Sequence, residues 1–209
     1  MLDSTLNKPD TNEGLNKEID INDVKISKVP SLFENLKDIF IYLCVSLIII
    51  LAIRLFVVQH VRVEGTSMDP TLHNGQHLLI EKLSYKFKDV ERFDIVVFQP
   101  FYEDKDTFYV KRIIGLPGET VQIKDNVIYI NDQPLDENYG ADTYTEGKMA
   151  ESKIQLGDDD YFVLGDNRDV SKDSREEDVG LLTSKSIIGR VWVSIYPTDN
   201  IGLIKHKFI

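Results

Sequence analysis

Cysteine is almost absent from this sequence. Its 209 residues include one, Cys44, which lies within an apolar stretch. A disulfide needs two cysteines and a thiolate zinc site needs several, so we expect neither. A cysteine nucleophile in a soluble part of the chain is excluded as well, and the sequence indicates no metal and no cofactor.

Positive charge is also in short supply. Lysine and arginine number 24 against 35 aspartates and glutamates, which gives a formal net charge of −11. A nucleic-acid-binding domain needs a basic patch to meet the phosphates, so we expect no nucleic acid partner.

Helical periodicity is scarce after residue 60, where short β-rich runs recur between turn residues. Lys124-Asp125-Asn126 is expected to join two of them as a hairpin, a turn of helix is expected around Ile80–Phe87, and Glu137–Gly157 is expected to be a long, mobile loop. The pattern predicts a mainly β domain of bent antiparallel sheets, or a partly closed barrel. The predicted strands are His77–Ile80, Asp94–Phe98, Phe108–Ile114, Thr120–Ile123, Val127–Ile130, Tyr161–Leu164 and Val191–Tyr196.

One long apolar run precedes this domain. Ile39–Val58 is interrupted only by Ser46 and Arg54, and as a helix it is about 30 Å long, enough to cross the hydrocarbon core of a bilayer. Many polar residues precede it and no small-x-small site follows it, so an uncleaved anchor is favoured over a signal peptide. The predicted organisation is a polar, disordered tail over 1–38, a transmembrane helix over 39–58 and a β-rich domain over 59–209.

The charges that flank the anchor favour one orientation. Lys25, Lys28 and Lys37 lie on its N-terminal side, whereas Arg62 is the main flanking charge beyond Arg54. By the positive-inside rule, we expect a single-pass cell-membrane protein with a cytoplasmic N-terminus and an extracytoplasmic β domain.

Ser67 is a candidate nucleophile. It lies in VRVEGTSMDPTL (Val61–Leu72), between the flexible Gly65 and the rigid Pro70. A well-determined bend of this kind can expose a hydroxyl together with backbone N–H groups, as a nucleophile and an oxyanion site require. The same residue types also form ordinary surface turns.

A serine nucleophile needs a base, and no G-x-S-x-G motif surrounds Ser67. The chain has four histidines. His60 is at the membrane edge and His206 near the basic end of the chain, while His73 and His77 flank a turn. A triad that uses His73 or His77 stays open.

Lys111 is the stronger candidate for the base. It lies in FYVKRIIGLPGE (Phe108–Glu119), beside Arg112 on an apolar strand. Burial against apolar surface lowers the pKa of a lysine, and a neutral amine can accept the proton of a serine. The alternative is an edge-strand charge that discourages aggregation.

A third stretch, YFVLGDNRDVSKDSRE (Tyr161–Glu176), ends a predicted strand in a dense polar loop. An EF-hand is excluded, because Arg168 and Val170 occupy positions where oxygen ligands belong. The loop is either a solvated tip or a brace of ion pairs, and its mixed charges favour the brace. Those charged residues are Asp166, Arg168, Asp169, Asp173 and Arg175.

Taken together, these stretches resemble one family, the type I signal peptidases (leader peptidases), in their short single-anchor bacterial form. The resemblance runs in order through SMDPTL (Ser67–Leu72), RFDIVVF (Arg92–Phe98), YVKRIIGLPGE (Tyr109–Glu119) and GDNRDVSKDSR (Gly165–Arg175). It implies a membrane-bound serine endopeptidase that removes the signal peptides of secretory preproteins after small residues at −1 and −3.

The resemblance also implies roles for individual residues. Ser67 matches the nucleophile, and its backbone N–H matches an oxyanion donor. Lys111 matches the general base. The residues that match the supports of the site are Ser171, Asp173 and Arg175. The residues that match the lining of the substrate pockets are Val61, Val63, Met68 and Leu72.

One position departs from the long enterobacterial form, which has a serine as second oxyanion donor where this chain has Gly65. Two other functions stay as alternatives. A non-catalytic anchored homologue would bind or chaperone exported proteins, and a sortase-like transpeptidase would need a cysteine outside the membrane segment.

Overall fold

The computed structural model describes residues 32–100, 108–139 and 145–207. The chain divides into two compact units, Met1–Val45 and Ser46–Ile209. The predicted disordered tail falls outside the described residues up to position 31.

The first element is the helix α1, Leu32–Phe56. Within it, Asn35–Ile53 is long and apolar enough to cross a membrane, judged by length and composition, and none of that stretch is buried in the protein. The helix starts before the predicted bound at Ile39, because backbone hydrogen bonds extend it through a polar flank. It ends at Phe56. The N–H of Val57 still bonds to the carbonyl oxygen of Ile53, but the Val57 carbonyl oxygen accepts the N–H of Lys82, and Val58 pairs with Glu81.

Twelve strands follow within the described residues. They are β1 (Val58–Arg62), β2 (His77–Glu81), β3 (Ile95–Phe98), β4 (Tyr109–Gly115), β5 (Thr120–Lys124), β6 (Val127–Ile130), β7 (Gln133–Pro134), β8 (Ile154–Gln155), β9 (Asp160–Leu164), β10 (Leu182–Thr183), β11 (Ile187–Tyr196) and β12 (Gly202–Leu203). Short helical elements lie at α2 (Ser84–Phe87) and, as 3₁₀ turns, at Lys148–Glu151, Ser184–Ser186 and Thr198–Asn200.

The strands form two antiparallel sheets. The larger runs β1-β2-β11-β3-β4-β9-β10, with β12 paired to β11, and the smaller runs β7-β6-β5-β8. The mainly β, curled antiparallel fold predicted from the sequence is thereby confirmed. The seven predicted strands and the turn of helix at α2 are all present.

The hairpin between β5 and β6 follows from its turn residues. Asp125 and Asn126 have φ values of 51° and 66°, the left-handed conformation that a two-residue type I′ hairpin loop requires. Asn and Asp tolerate this conformation better than most residues, so these two residues were enough to predict the hairpin from the sequence.

The expectation of a long loop over Glu137–Gly157 is wrong for its described part. Lys148–Glu151 forms a 3₁₀ turn, and Ile154 pairs with Val121 of β5. Buried Tyr139 and Ala150 hold the segment to the domain. These contacts are between residues distant in sequence, so local composition gave no sign of them.

The strand β4 is central to the domain. It lies between β3 and β9, and every residue in it after Tyr109 is buried, including Lys111 and Arg112. Lys111 is therefore not an edge-strand charge, and both adjacent cations require a structural explanation.

Candidate active site

Ser67 and Lys111 are in direct contact. Lys111 Nζ lies 2.7 Å from Ser67 Oγ and donates a second hydrogen bond, of 3.1 Å, to the carbonyl oxygen of Val110. The register of β4 directs the lysine towards the serine, which the loop between β1 and β2 carries. Two residues from distant parts of the chain thus form the pair that the sequence suggested.

The amino group of Lys111 is shielded from water, with 3 % of the residue exposed. Burial penalises the ammonium form and lowers the pKa of Lys111 to about 8. The carboxylates of Asp173 and Asp166 oppose this change, whereas the guanidinium of Arg175 favours it. A substantial fraction of the amine is therefore neutral in mildly alkaline solution.

The loop that carries Ser67 is fixed at its base. Val63 donates its N–H to the carbonyl oxygen of Gln76 at 2.8 Å, and Gly65 donates its N–H to Asn74 Oδ1 at 3.0 Å. Gly65 has a φ of +85°, a left-handed conformation that favours glycine. Met68, with 1 % exposed, anchors the far side of the serine in the core.

A second loop approaches Ser67 from the end of β9. Asn167 donates its N–H to the carbonyl oxygen of Ser67 at 3.0 Å. A Cβ at Gly165 would lie 2.4 Å from that oxygen and 2.2 Å from Ser171 Oγ, so only glycine permits this approach. Ser171 Oγ is buried and has no hydrogen-bond partner among the described residues.

Asp173 and Arg175 form a buried ion pair in this second loop. Arg175 Nε lies 2.8 Å from Asp173 Oδ1, and Nη2 lies 2.9 Å from Oδ2. Asp173 Oδ2 also accepts the N–H of Gly165 at 3.1 Å, and Arg175 Nη2 donates to the carbonyl oxygen of Arg168 at 2.7 Å. The loop is therefore the ion-paired brace that its composition favoured.

Sequence reasoning missed a second buried ion pair, between Arg112 and Asp166. Its two hydrogen bonds measure 2.8 Å and 2.6 Å, and neither side chain is more than 1 % exposed. Thr71, from the loop of Ser67, donates its hydroxyl to Asp166. The adjacency of Lys111 and Arg112 on an apolar strand was the available signal, because a buried guanidinium requires a carboxylate partner.

A cleft of about 710 Å³ opens beside the serine. Its lining includes the predicted pocket residues Val61, Val63 and Met68. Leu72 is not in that lining: it is fully buried and packs in the same core cluster as Met68. The structure thus corrects the prediction that Leu72 lines a pocket. Leu72 donates its N–H to the carbonyl oxygen of Met68 in a helical turn, and its side chain points into the core instead of the cleft.

The histidines have other partners. His73 Nδ1 lies 2.7 Å from Asp69 Oδ1 on the surface, and His77 Nδ1 lies 2.9 Å from His60 Nε2. Among the described residues, no hydrogen bond joins either ring to Ser67. Within the same residues, no group of three or more His, Cys, Asp or Glu side chains could hold a metal ion.

Known proteins resemble this chain over most of its length. Residues 36–196 match the family described as "Signal peptidase, peptidase S26". The chain is 38 % identical over 182 residues to "Signal peptidase I" of Bacillus licheniformis, which covers 84 % of this chain and 94 % of the relative. The chain belongs to the signal peptidase family S26.

Further signal peptidases show the same similarity. "Signal peptidase I P" of Bacillus subtilis subsp. natto is 35 % identical over 75 % of this chain and 87 % of its own. "Signal peptidase IB" of Staphylococcus aureus (strain Mu50 / ATCC 700699) is 33 % identical over 80 % and 92 %. A crystal structure of a signal peptidase I from Enterococcus faecalis V583 is 36 % identical and covers 49 % of this chain and 97 % of its own, with a TM-score of 0.43.

The resemblance drawn from the four motifs is thereby confirmed. The chain is an enzyme of the signal peptidase I type, a hydrolase among the S26 peptidases. Membership of this family indicates that the reaction is the cleavage of signal peptides.

The Arg112–Asp166 pair leads to a prediction about stability. Asp166→Asn leaves a buried guanidinium without its counter-charge, which should lower the free energy of unfolding by about 3–5 kcal/mol. Asp132→Asn, which breaks the exposed pair with Lys153, should change it by less than about 1 kcal/mol. Thermal melts of the two purified variants check this, and equal melting temperatures would contradict the structural role of the buried pair.

Proposed function

We propose that this chain is a membrane-anchored serine endopeptidase in which Ser67 is the nucleophile and Lys111 the general base. It cleaves the signal peptides of secretory preproteins after small residues at −1 and −3. The observation that carries the proposal is the 2.7 Å contact between Ser67 Oγ and a buried Lys111 Nζ. A neutral amine at hydrogen-bond distance from a hydroxyl meets the geometric requirement for a general base.

The reaction follows from this geometry. Neutral Lys111 accepts the Ser67 hydroxyl proton as Oγ attacks the carbonyl carbon of residue −1, which forms a tetrahedral oxyanion. The resulting ammonium donates that proton to the leaving amine, which becomes the N-terminus of the mature protein. A water molecule, deprotonated by the same lysine, then attacks the acyl-enzyme ester and releases the signal peptide with Ser67 regenerated.

The oxyanion needs donors at this point of the reaction. The backbone N–H of Ser67 is the proposed donor. The N–H of Gly65 is engaged by Asn74, so it does not serve as the second donor in place of the serine of the long form.

The supporting residues act on Lys111. Ser171, Asp173 and Arg175 lie in the loop that packs on Ser67, and we assign them to orientation of the amine and bracing of the site. The Asp173–Arg175 ion pair supports this role, because the two charges act on Lys111 in opposite directions. Because the opposite charges of Asp173 and Arg175 are paired, burial remains the main influence on the pKa of Lys111.

Specificity is assigned to the wall of the cleft. Val61, Val63 and Met68 line it beside Ser67 and are each less than a tenth exposed. Because these side chains are closely packed, they cannot move aside for a bulky substrate residue, which favours small residues at −1 and −3. Leu72 supports this wall from behind.

Anchoring is assigned to α1. The stretch from Val57 to Thr66 is all that separates this helix from Ser67, so a nucleophile anchored in a bilayer stays near the membrane. A signal peptide is also apolar and membrane-bound, so its cleavage site emerges at the same surface. Anchoring thus raises the local concentration of substrate and enzyme. We assign the N-terminus to the cytoplasm and the β domain to the outside, as the flanking charges favour.

The nucleophile can be tested by Ser67→Ala. Loss of the hydroxyl should leave folding and membrane insertion intact and lower preprotein cleavage by at least about 10³-fold. The assay is cleavage of a preprotein in detergent by the purified full chain, with sequencing of the new N-terminus for the wild type. Substantial cleavage by the variant would remove Ser67 from the mechanism and favour the non-catalytic alternative.

The pocket assignment predicts which preproteins are cleaved. Replacing Ala at −1 by Phe forces extra atoms into a packed site at a cost of about 1–3 kcal/mol, so kcat/KM should fall by about 5- to 150-fold. A Ser substitution at −1 is the matched control and should stay within several-fold of Ala. Equal cleavage of the Phe and Ala substrates would refute the pocket.

The base is tested by pH. Only neutral Lys111 accepts a proton, so kcat/KM should rise with pH with a midpoint at the pKa of about 8. Lys111→Arg cannot deprotonate in the working range and should be inactive. Lys111→Met should be inactive but at least as stable as the wild type, because it removes a buried amine. Thermal melts of both variants check that they fold. Near-normal turnover by Lys111→Arg would exclude Lys111 as the base and favour His73 or His77 in that role.

A further inference from the structure

The chain after β12 returns to the centre of the domain. Ile204 donates its N–H to the carbonyl oxygen of Trp192 at 2.9 Å, and the side chain of His206 is buried. His206 Nδ1 accepts the N–H of Ile95 at 2.9 Å. Burial lowers the pKa of His206 to about 4, so the ring is neutral near pH 7 and can accept this hydrogen bond.

The carbonyl oxygen of His206 meets two buried donors. Arg112 Nη1 donates to it at 2.7 Å, and Tyr139 Oη donates to it at 2.7 Å. Arg112 Cζ also lies over the face of the Tyr139 ring, 3.6 Å from its centroid. One peptide group from the end of the chain therefore fixes one side of the Arg112 guanidinium.

The guanidinium of Arg112 has all its donors engaged. Nε and Nη2 bind Asp166, Nη1 also donates to the carbonyl oxygen of Phe93 at 3.0 Å, and Nη2 reaches Thr71 Oγ1 at 3.4 Å. A fully buried cation needs each of these acceptors, since an unpaired donor costs its desolvation. Loss of the His206 carbonyl would leave an Nη1 donor without a partner, and the guanidinium would shift.

Such a shift would reach the site through Asp166. Its carboxylate accepts hydrogen bonds from Arg112 and from Thr71, which lies in the loop of Ser67. Its neighbour Gly165 is packed against the Ser67 carbonyl oxygen. Arg112 thus joins both loops that meet at Ser67.

We propose that His206 is a positioning residue for the reaction. Its imidazole fixes the C-terminal segment on Ile95, and its carbonyl oxygen holds Arg112 on Asp166. These contacts keep the loops of Ser67 and Gly165 correctly placed relative to Lys111. The segment that follows β12 then supports the catalytic site although it does not touch the substrate.

The test is a set of variants in the full-length enzyme. His206→Leu removes the acceptor for the Ile95 N–H, and kcat should fall by about 10-fold with KM within about two-fold, because the reacting atoms lose alignment. His206→Asn places an amide oxygen near the position of Nδ1 and should restore kcat to within about two-fold of the wild type. Lys207→Ala, which breaks only the exposed pair with Glu91, should behave like the wild type.

The pH profile separates positioning from simple destabilisation. If Asp166 is less tightly paired with Arg112, its carboxylate opposes the lowering of the Lys111 pKa more strongly. The pKa of Lys111 then rises towards its ordinary value, so the acid limb of the rate profile should move to higher pH in His206→Leu. A purely structural role would lower the melting temperature but leave kcat per folded enzyme and the limb unchanged, and that result would overturn the proposal. Impairment of His206→Asn equal to that of His206→Leu would overturn it as well.

If His206→Leu fails to fold, Tyr139→Phe carries the test. It removes one donor to the His206 carbonyl and keeps the aromatic face over Arg112, so kcat should fall by about two- to five-fold; an unchanged kcat would overturn the proposal. The inference rests on the proposed Ser67–Lys111 mechanism, yet the two fail differently. Cleavage by Ser67→Ala refutes the mechanism, whereas unaltered His206 and Tyr139 variants refute the positioning role alone.

Discussion

Desolvation of one amino group is the constraint on which the site depends. Lys111 can be neutral at accessible pH only while water is kept from its amine, because burial is the main cause of its lowered pKa. An interior strand achieves this, since β4 has a neighbour on each side and core above and below. The same burial would be harmful if a free carboxylate were near, because an unpaired negative charge would stabilise the ammonium.

Two carboxylates do lie near, and each is paired with a buried arginine. Asp166 is bound by Arg112 and Asp173 by Arg175, and all four side chains are almost inaccessible. Buried ion pairs contribute little net stability, since desolvation offsets their attraction. Their value here is positional. The Arg112–Asp166 pair joins a loop to the sheet, whereas the Asp173–Arg175 pair braces its own loop. Each pairing also exposes Lys111 to less negative charge than a free carboxylate would.

The sequence predicted the local features well and the long-range ones poorly. Strands with β-branched or aromatic alternation were found, whereas β1 was hidden because its apolar start continues the apolar run of α1. The two-residue strands were too short for any pattern. At the site, the partnership of Ser67 and Lys111 followed from motifs, but Arg112 meets Tyr139 and His206 across long chain separations that no local pattern encodes.

The meeting of distant segments explains why a glycine is decisive at the site. Ser67 is held from one side by its own loop and from the other by the chain after β9, and Gly165 is where the second makes closest approach. A methyl group there would collide with backbone, which cannot rotate away as a side chain can, so the loops would separate. Separation would admit water to the amine of Lys111 and remove the burial that lowers its pKa. The close backbone packing at Gly165 is therefore a condition for the role that we propose for Lys111.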